Sequence, residues 1–282
     1  MSNIRIFDVH NAEILIDADN ITKTLKVLSG KCKLYKEILS KSYKCSYAYI
    51  TPPNTNLYSI ISEEITEEEY QNFVTLILRN NNTFFSDFFD EICEFIIAEK
   101  QKQHTKAFIF IYRLLEHISY AFPMLYVAKS NDFKGTYDNI RAWASGEPLK
   151  FFGKFIEKIF SDYNATEYNI TIHLPSDISL QEKYHDLFIK KVFYTKAGEK
   201  ALEENDMDDK SQITFNWHFL PSLIIEIRNG FCHYLNTERP NLLDVKDFID
   251  SDIFFNLINN ECMKWISTVF VSILAESYSN MM

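Results

Sequence analysis

The sequence predicts a mainly α protein. A helical bundle is expected over residues 85–282 and a small α/β module over 1–84. An insertion at about 162–217 interrupts the bundle before its next-to-last helix. Three observations carry this prediction. Chain breakers are scarce, with 6 Gly and 7 Pro in 282 residues. Apolar residues recur at helical spacing over long windows after residue 87, whereas the first 50 residues hold short alternating runs. With 46% hydrophobic residues, 24 of them Phe, the chain has the material for a large core.

In order, Ile4-Arg5-Ile6-Phe7 and Ala12-Glu13-Ile14-Leu15-Ile16 read as two strands, and 21–29 as a helix on Leu25, Val27 and Leu28. Residues 45–51 read as a further strand, stopped by Pro52-Pro53-Asn54. Thr66 and Glu69 have the spacing of a capping box. They open a helix through Tyr70, Phe73, Val74, Ile77 and Leu78, with Asn80 to Asn82 as its end and a boundary near 84. The acidic run Glu63 to Glu69 suits a helix start, where carboxylates complement the dipole.

From 87 the periodicity is that of long helices, either one or two up to residue 129, with the charged stretch 99–106 as a turn or an exposed segment. Residues 149–160 form an amphipathic helix on Leu149, Phe152, Phe155, Ile156 and Ile159. Residues 168–174 and 213–217 read as extended, and Asp206 to Lys210 as a mobile loop. The last helix spans about 251–277, with enough apolar surface for a bundle core or for a core and a dimer seam.

Composition narrows the function. The net charge is −10, whereas proteins that bind nucleic acid over a broad surface are usually basic. Contact with nucleic acid would be confined to a local cleft, a short substrate or one presented by a partner. The five cysteines, Cys32, Cys45, Cys93, Cys232 and Cys262, include no C-x-x-C pair, so neither a disulfide framework nor a zinc site follows. A reducing cytoplasm fits this usage. The start, Met-Ser-Asn-Ile-Arg-Ile, does not read as a signal peptide. No apolar run approaches the ~18–20 residues of a membrane span. No cofactor is implied.

The stretch 221–236 is the most informative. Pro221 suits a first helical turn. Leu223, Ile224, Ile225 and Ile227 demand burial. Arg228, Asn229 and His233 then follow within six positions. They bring a permanent cation, an amide and a group titrating near neutral pH, a set suited to chemistry on an anion. On a straight helix Arg228 and His233 lie about 140° apart, while Asn229 and His233 share a face. Either the helix is distorted at Gly230, or the pair meets through a second copy of the chain.

Arg228-Asn229-Gly230-Phe231-Cys232-His233 resembles the R-x4–6-H motif of the HEPN superfamily, with a polar residue directly after the arginine. The resemblance covers roughly residues 87–280. It implies a HEPN-like helical bundle and, from many members, a metal-independent endoribonuclease of a prokaryotic defence or toxin–antitoxin system. It also implies a homodimer whose cleft joins two Arg/His pairs. In that picture Arg228 grips the phosphate, Asn229 holds the phosphate or the imidazole, and His233 moves the proton, giving 2′,3′-cyclic phosphate ends. The acidic balance and the N-terminal module favour a partner protein, an antitoxin or another defence-complex subunit. The alternative is a non-catalytic HEPN-like assembly or sensor subunit.

Two further features bear on such a site. Arg113, Glu116, His117 and Tyr120 sit at i, i+3, i+4 and i+7, on one helical face. They make either an ordinary solvent stripe or the wall of the same cleft, with Glu116 orienting an arginine. Lys150, Lys154 and Lys158 recur every four residues. Such a stripe can track RNA phosphates, although a solvated face is its commoner origin. Cys232 and His233 are helical neighbours pointing apart, which disfavours a thiol–imidazole dyad. His10, His104, His173, His185 and His218 are scattered, with no metal-ligand spacing. Lys196-Ala197-Gly198-Glu199-Lys200 lacks the length and second glycine of a P-loop.

Overall fold

The computed structural model describes residues 4–8, 18–28, 32–36, 41–44, 66–129, 132–143, 152, 155, 169–194, 196–202, 210–232, 247 and 250–279. Among these the chain is mainly helical. It divides into two compact units, Met1–Phe133 with Met263–Met282, and Lys134–Cys262.

In the first unit, β1 (Ile4–Asp8), β2 (Cys32–Lys36) and β3 (Lys41–Lys44) form an antiparallel sheet in that order. Ile4 pairs with Lys36, and Lys33 with Lys44. The strands β2 and β3 were not foreseen, and the strands expected at 12–16 and 45–51 lie outside the described residues. Helix α1 (Asn20–Leu28) buries Ile21, Thr24, Val27 and Leu28. Asp19 caps it, accepting from the Thr22 N–H at 2.8 Å and the Thr22 hydroxyl at 2.6 Å.

Helix α2 (Glu67–Lys100) starts with the expected capping box. The Glu69 N–H donates to Thr66 Oγ1 at 3.2 Å, and the Thr66 N–H donates to Glu69 Oε2 at 2.7 Å. The Thr66 N–H and hydroxyl, both donating to its Oε2, hold the Glu69 carboxyl below its usual range. The Thr22 and Tyr70 hydroxyls, 2.8 Å apart, tie α1 to α2. The asparagine run kinks α2 and does not end it. Asn81 leaves helical geometry (φ −122°, ψ 15°), and its Nδ2 donates to the Ile77 carbonyl at 2.9 Å. The side chain thus takes an acceptor that belongs to the backbone ladder. Residue 84, the expected boundary, lies inside α2.

A turn separates α2 from α3 (His104–Lys129), so 87–129 is two helices. The Lys102 N–H bonds to the Glu99 carbonyl at 3.0 Å and the Gln103 N–H to the Ala98 carbonyl at 2.9 Å. These are the two bonds of a Schellman C-cap, with Lys102 in the left-handed position at φ 60°. The helices run antiparallel, pairing Glu91 with Arg113 and Phe84 with Tyr120. Their shared core takes Phe88, Ile92, Phe95 and Ile96 from α2 and Phe108, Ile111, Leu114, Leu115 and Ile118 from α3.

The last helix, α8 (Ser251–Ser279), contributes Met263 onward to this unit. Phe270 stacks on Phe88 at 4.5 Å, and Tyr278 meets Phe73 edge-on at 5.5 Å. Each fully buried Phe or Leu contributes roughly 1.5–3 kcal/mol, so this three-helix core dominates the unit's stability.

The second unit holds most of α4 (Phe133–Trp143), a helix not among those expected from the sequence. The described part of its insertion is ordered around aromatic rings. Strands β4 (Asn169–His173) and β5 (Gln212–Asn216) pair antiparallel, and Ile170, Ile172, Ile213 and Phe215 are buried. Helix α5 (Ile178–Leu187) is capped by Asp177 and continues as one π-helical turn, Phe188–Val192. Helix α6 (Lys196–Ala201) follows. A short 3-10 turn, Trp217–Phe219, leads into α7 (Leu220–Cys232).

Phe193 contacts Phe188, Phe215 and Phe219, and Phe254 of α8 contacts Tyr184, Phe188 and Phe255. The lysines of 183–210 are partly neutralised. Lys190 pairs with Asp186 at 2.6 Å, Lys191 with Asp247 at 2.5 Å and Lys210 with Glu182 at 3.2 Å. Of the helix expected at 149–160, Phe152 and Phe155 are described and buried. The rest of it, with Lys150, Lys154 and Lys158, lies outside the described residues, as do 206–209.

Candidate functional site

Helix α7 buries Leu220, Leu223, Ile224 and Ile227, an i, i+3, i+4, i+7 face. Pro221 occupies its first turn, where no intrahelical N–H bond is lost. Arg228, Asn229 and Gly230 are half-buried at its C-terminal end, where a cation complements the helix dipole. The helix runs unbroken through Gly230 to Cys232. The distortion that would let one chain bring Arg228 and His233 together is therefore not seen up to that point. His233 lies outside the described residues.

Arg228 Nη1 donates to Asn229 Oδ1 at 3.1 Å. This bond orients the guanidinium and occupies the amide oxygen, leaving Asn229 Nδ2 as a donor. Glu226, two residues earlier, accepts from the Tyr194 hydroxyl at 3.4 Å. The Phe231 ring meets Phe255 of α8 edge-on at 5.1 Å, anchoring the end of α7. Arginine and amide thus act as one unit on a rigid element, a pair able to hold a phosphate oxygen.

The other sequence-derived set lies on α3, in the first unit. Arg113, His117 and Tyr120 are brought together, but their partners come from α2. Arg113 Nη2 lies 2.6 Å from Glu91 Oε1. His117 Nδ1 is 3.3 Å from the Tyr120 hydroxyl, and the Phe84 ring packs edge-on against both rings. Burial lowers the His117 pKa, with Asp87 and Glu116 opposing and Arg113 reinforcing the shift. Burial raises the Tyr120 hydroxyl, and Asp87 adds to it. Glu116 is exposed. The carboxylate that pairs with an arginine here is Glu91.

Glu91 is the residue that sequence reasoning missed. Its side chain is 9% exposed, and Oε2 is buried with no hydrogen-bond partner among the described residues. Burial raises its pKa against the pull of Arg113, helped by Asp87, Asp90 and Glu94. The signal was present: Phe84, Asp87 and Glu91 share one face of α2 at i, i+3 and i+7.

Among the described residues no group of three His, Cys, Asp or Glu could hold a metal ion, and no helix is long and apolar enough to cross a membrane. The chain matches no protein-family model, no curated protein and no solved structure.

Proposed function

We propose that the chain is a HEPN-type, metal-independent endoribonuclease of a prokaryotic defence or toxin–antitoxin system, acting as a homodimer. The observation that carries the reading is the hydrogen-bonded Arg228–Asn229 pair, half-buried at the end of an apolar helix and followed four residues later by His233. The unbroken helix through Gly230 supports convergence of two copies over distortion within one.

In this reading the substrate's 2′-hydroxyl attacks the adjacent phosphorus after losing its proton to His233. The P–O5′ bond breaks, and a protonated imidazole, that of the second copy, returns a proton to the 5′ oxygen. Arg228 stabilises the charge on the phosphorane oxygens through its N–H donors, and Asn229 adds another. The products are a 2′,3′-cyclic phosphate and a 5′-hydroxyl. With a net charge of −10, only a local cation is available for such contact. A short or presented RNA and a controlling partner protein fit that balance.

Expression in a bacterial host tests the reading. Growth arrest by the wild type and its relief by His233→Ala are expected. Growth indifferent to that change would point to a HEPN-like assembly or sensor subunit without turnover.

A further inference from the structure

Helix α3 turns a second stripe to solvent, formed by Ile109, Arg113, Glu116, Tyr120, Met124 and Val127. Ile109 is 50% exposed, Tyr120 53% and Met124 61%. The opposite side of α3, from Ala107 to Ile118, is already buried. An outer face this apolar, recurring at three- and four-residue steps over five turns, has the pattern of a helix seam. At its centre stand one cation and one anion, three residues apart. Arg113 gives Nη2 to Glu91, yet its side chain is 54% exposed and has further N–H donors. Glu116 is exposed and makes no ion pair among the described residues.

The four central positions of the stripe, 109, 113, 116 and 120, are their own complement. Reversed about the midpoint between Leu114 and Leu115, position 113 falls on 116 and 109 falls on 120. We propose that this face of α3 docks against the same face of a second copy, with the two helices antiparallel about a two-fold axis. Each Arg113 then meets the other copy's Glu116, twice over, and each Ile109 packs on the other copy's Tyr120.

An unrelated partner would not require this reciprocity, which is the hallmark of an isologous contact. RNA is a poor occupant, because the single guanidinium is shared with a carboxylate and sits among Asp87, Glu91 and Glu116. The proposal uses no residue of α7 and stands whether or not α7 supports RNA cleavage.

Paired cysteines test it. Under the dyad, positions 109 and 120 face each other across the interface, within reach of a disulfide, which needs Cα atoms about 4.4–6.8 Å apart. Positions 109 and 109, or 120 and 120, stand roughly 16 Å apart along the axis. Mild oxidation should therefore give a covalent dimer with Ile109→Cys/Tyr120→Cys and with an equal mixture of the two single variants. Each single variant alone should remain a monomer on a denaturing gel. Glu116→Arg, an exposed change that leaves the core intact, should weaken self-association by roughly tenfold or more in sedimentation, since like charges then meet twice. Circular dichroism checks that each variant is folded.

A wild type that stays monomeric at tens of micromolar overturns the proposal. So does a dimer indifferent to Glu116→Arg that does not cross-link through 109 and 120, because another face then makes it. RNA cleavage by the wild type against Arg228→Ala, measured on the same preparations, judges the nuclease reading separately.

Discussion

Arg113 holds Glu91 across the α2–α3 hairpin, Nη2 to Oε1 at 2.6 Å, while the second carboxylate oxygen of Glu91 is buried without a partner among the described residues. A carboxylate with one bonded and one stranded oxygen is poorly solvated by its surroundings. Burial outweighs the single guanidinium, and the pKa rises above its usual 4.5. The folded state therefore binds this proton more tightly than the unfolded chain does. The stability it contributes is fully present below about pH 4.5 and is lost as pH rises through the raised value. His117, lowered from its usual 6.5, has the opposite slope. Its contribution is present above about pH 6.5 and is lost as pH falls through the depressed value. Glu91→Gln should remove the decline that sets in as pH rises above about 4.5 and leave the His117 slope, as read from denaturation midpoints between about pH 4 and 7. An unchanged pH profile would contradict this account of Glu91.

Lys102 gives a prediction of opposite sign to most substitutions. It stands at φ 60°, where a side chain costs roughly 1 kcal/mol, and its side chain is exposed. Lys102→Gly should stabilise the protein by about 0.5 kcal/mol, after the added freedom of the unfolded chain is subtracted. Lys102→Val should destabilise it, since a β-branched residue tolerates this conformation least. Melting temperatures of the two variants should move in opposite directions.

Gly198 tests packing against propensity. Helix propensity alone favours alanine by about 1 kcal/mol. A Cβ at this position, however, would stand 2.9 Å from the Cα and carbonyl oxygen of Phe193. Backbone atoms cannot swing aside, and Phe193 sits among Phe188, Phe215 and Phe219. Overpacking there costs about 1–3 kcal/mol, so Gly198→Ala should lower the denaturation midpoint. The sequence offered this glycine as a failed P-loop match, whereas its physical role is close approach of α6 to the chain.

What was legible in the sequence followed from local rules. Thr66 and Glu69 announced a helix start because both halves of the capping box lie within four residues. The apolar spacing of α3, α7 and α8 announced long buried helices. Asn80–Asn82 announced an interruption, but its outcome as a kink depended on packing: Phe73 and Phe85, on either side of it, both rest against the same C-terminal stretch of α8. The partner of Arg113 was illegible for a similar reason. Glu116 is near in sequence, but Glu91 is delivered by the hairpin, and a pairing 22 positions away leaves no local trace. At α7, the sequence showed which residues could handle a phosphate, and the structure adds the bond that links Arg228 to Asn229.

The most direct test of the central claim is incubation of the purified protein with total RNA in EDTA, followed by mapping of the cut ends. The account predicts cleavage that leaves 2′,3′-cyclic phosphate and 5′-hydroxyl ends. Arg228→Ala and His233→Ala should each reduce that cleavage by roughly 100-fold or more, with circular dichroism unchanged. Equal cleavage by the wild type and both variants, or no cleavage by any of them, would contradict it.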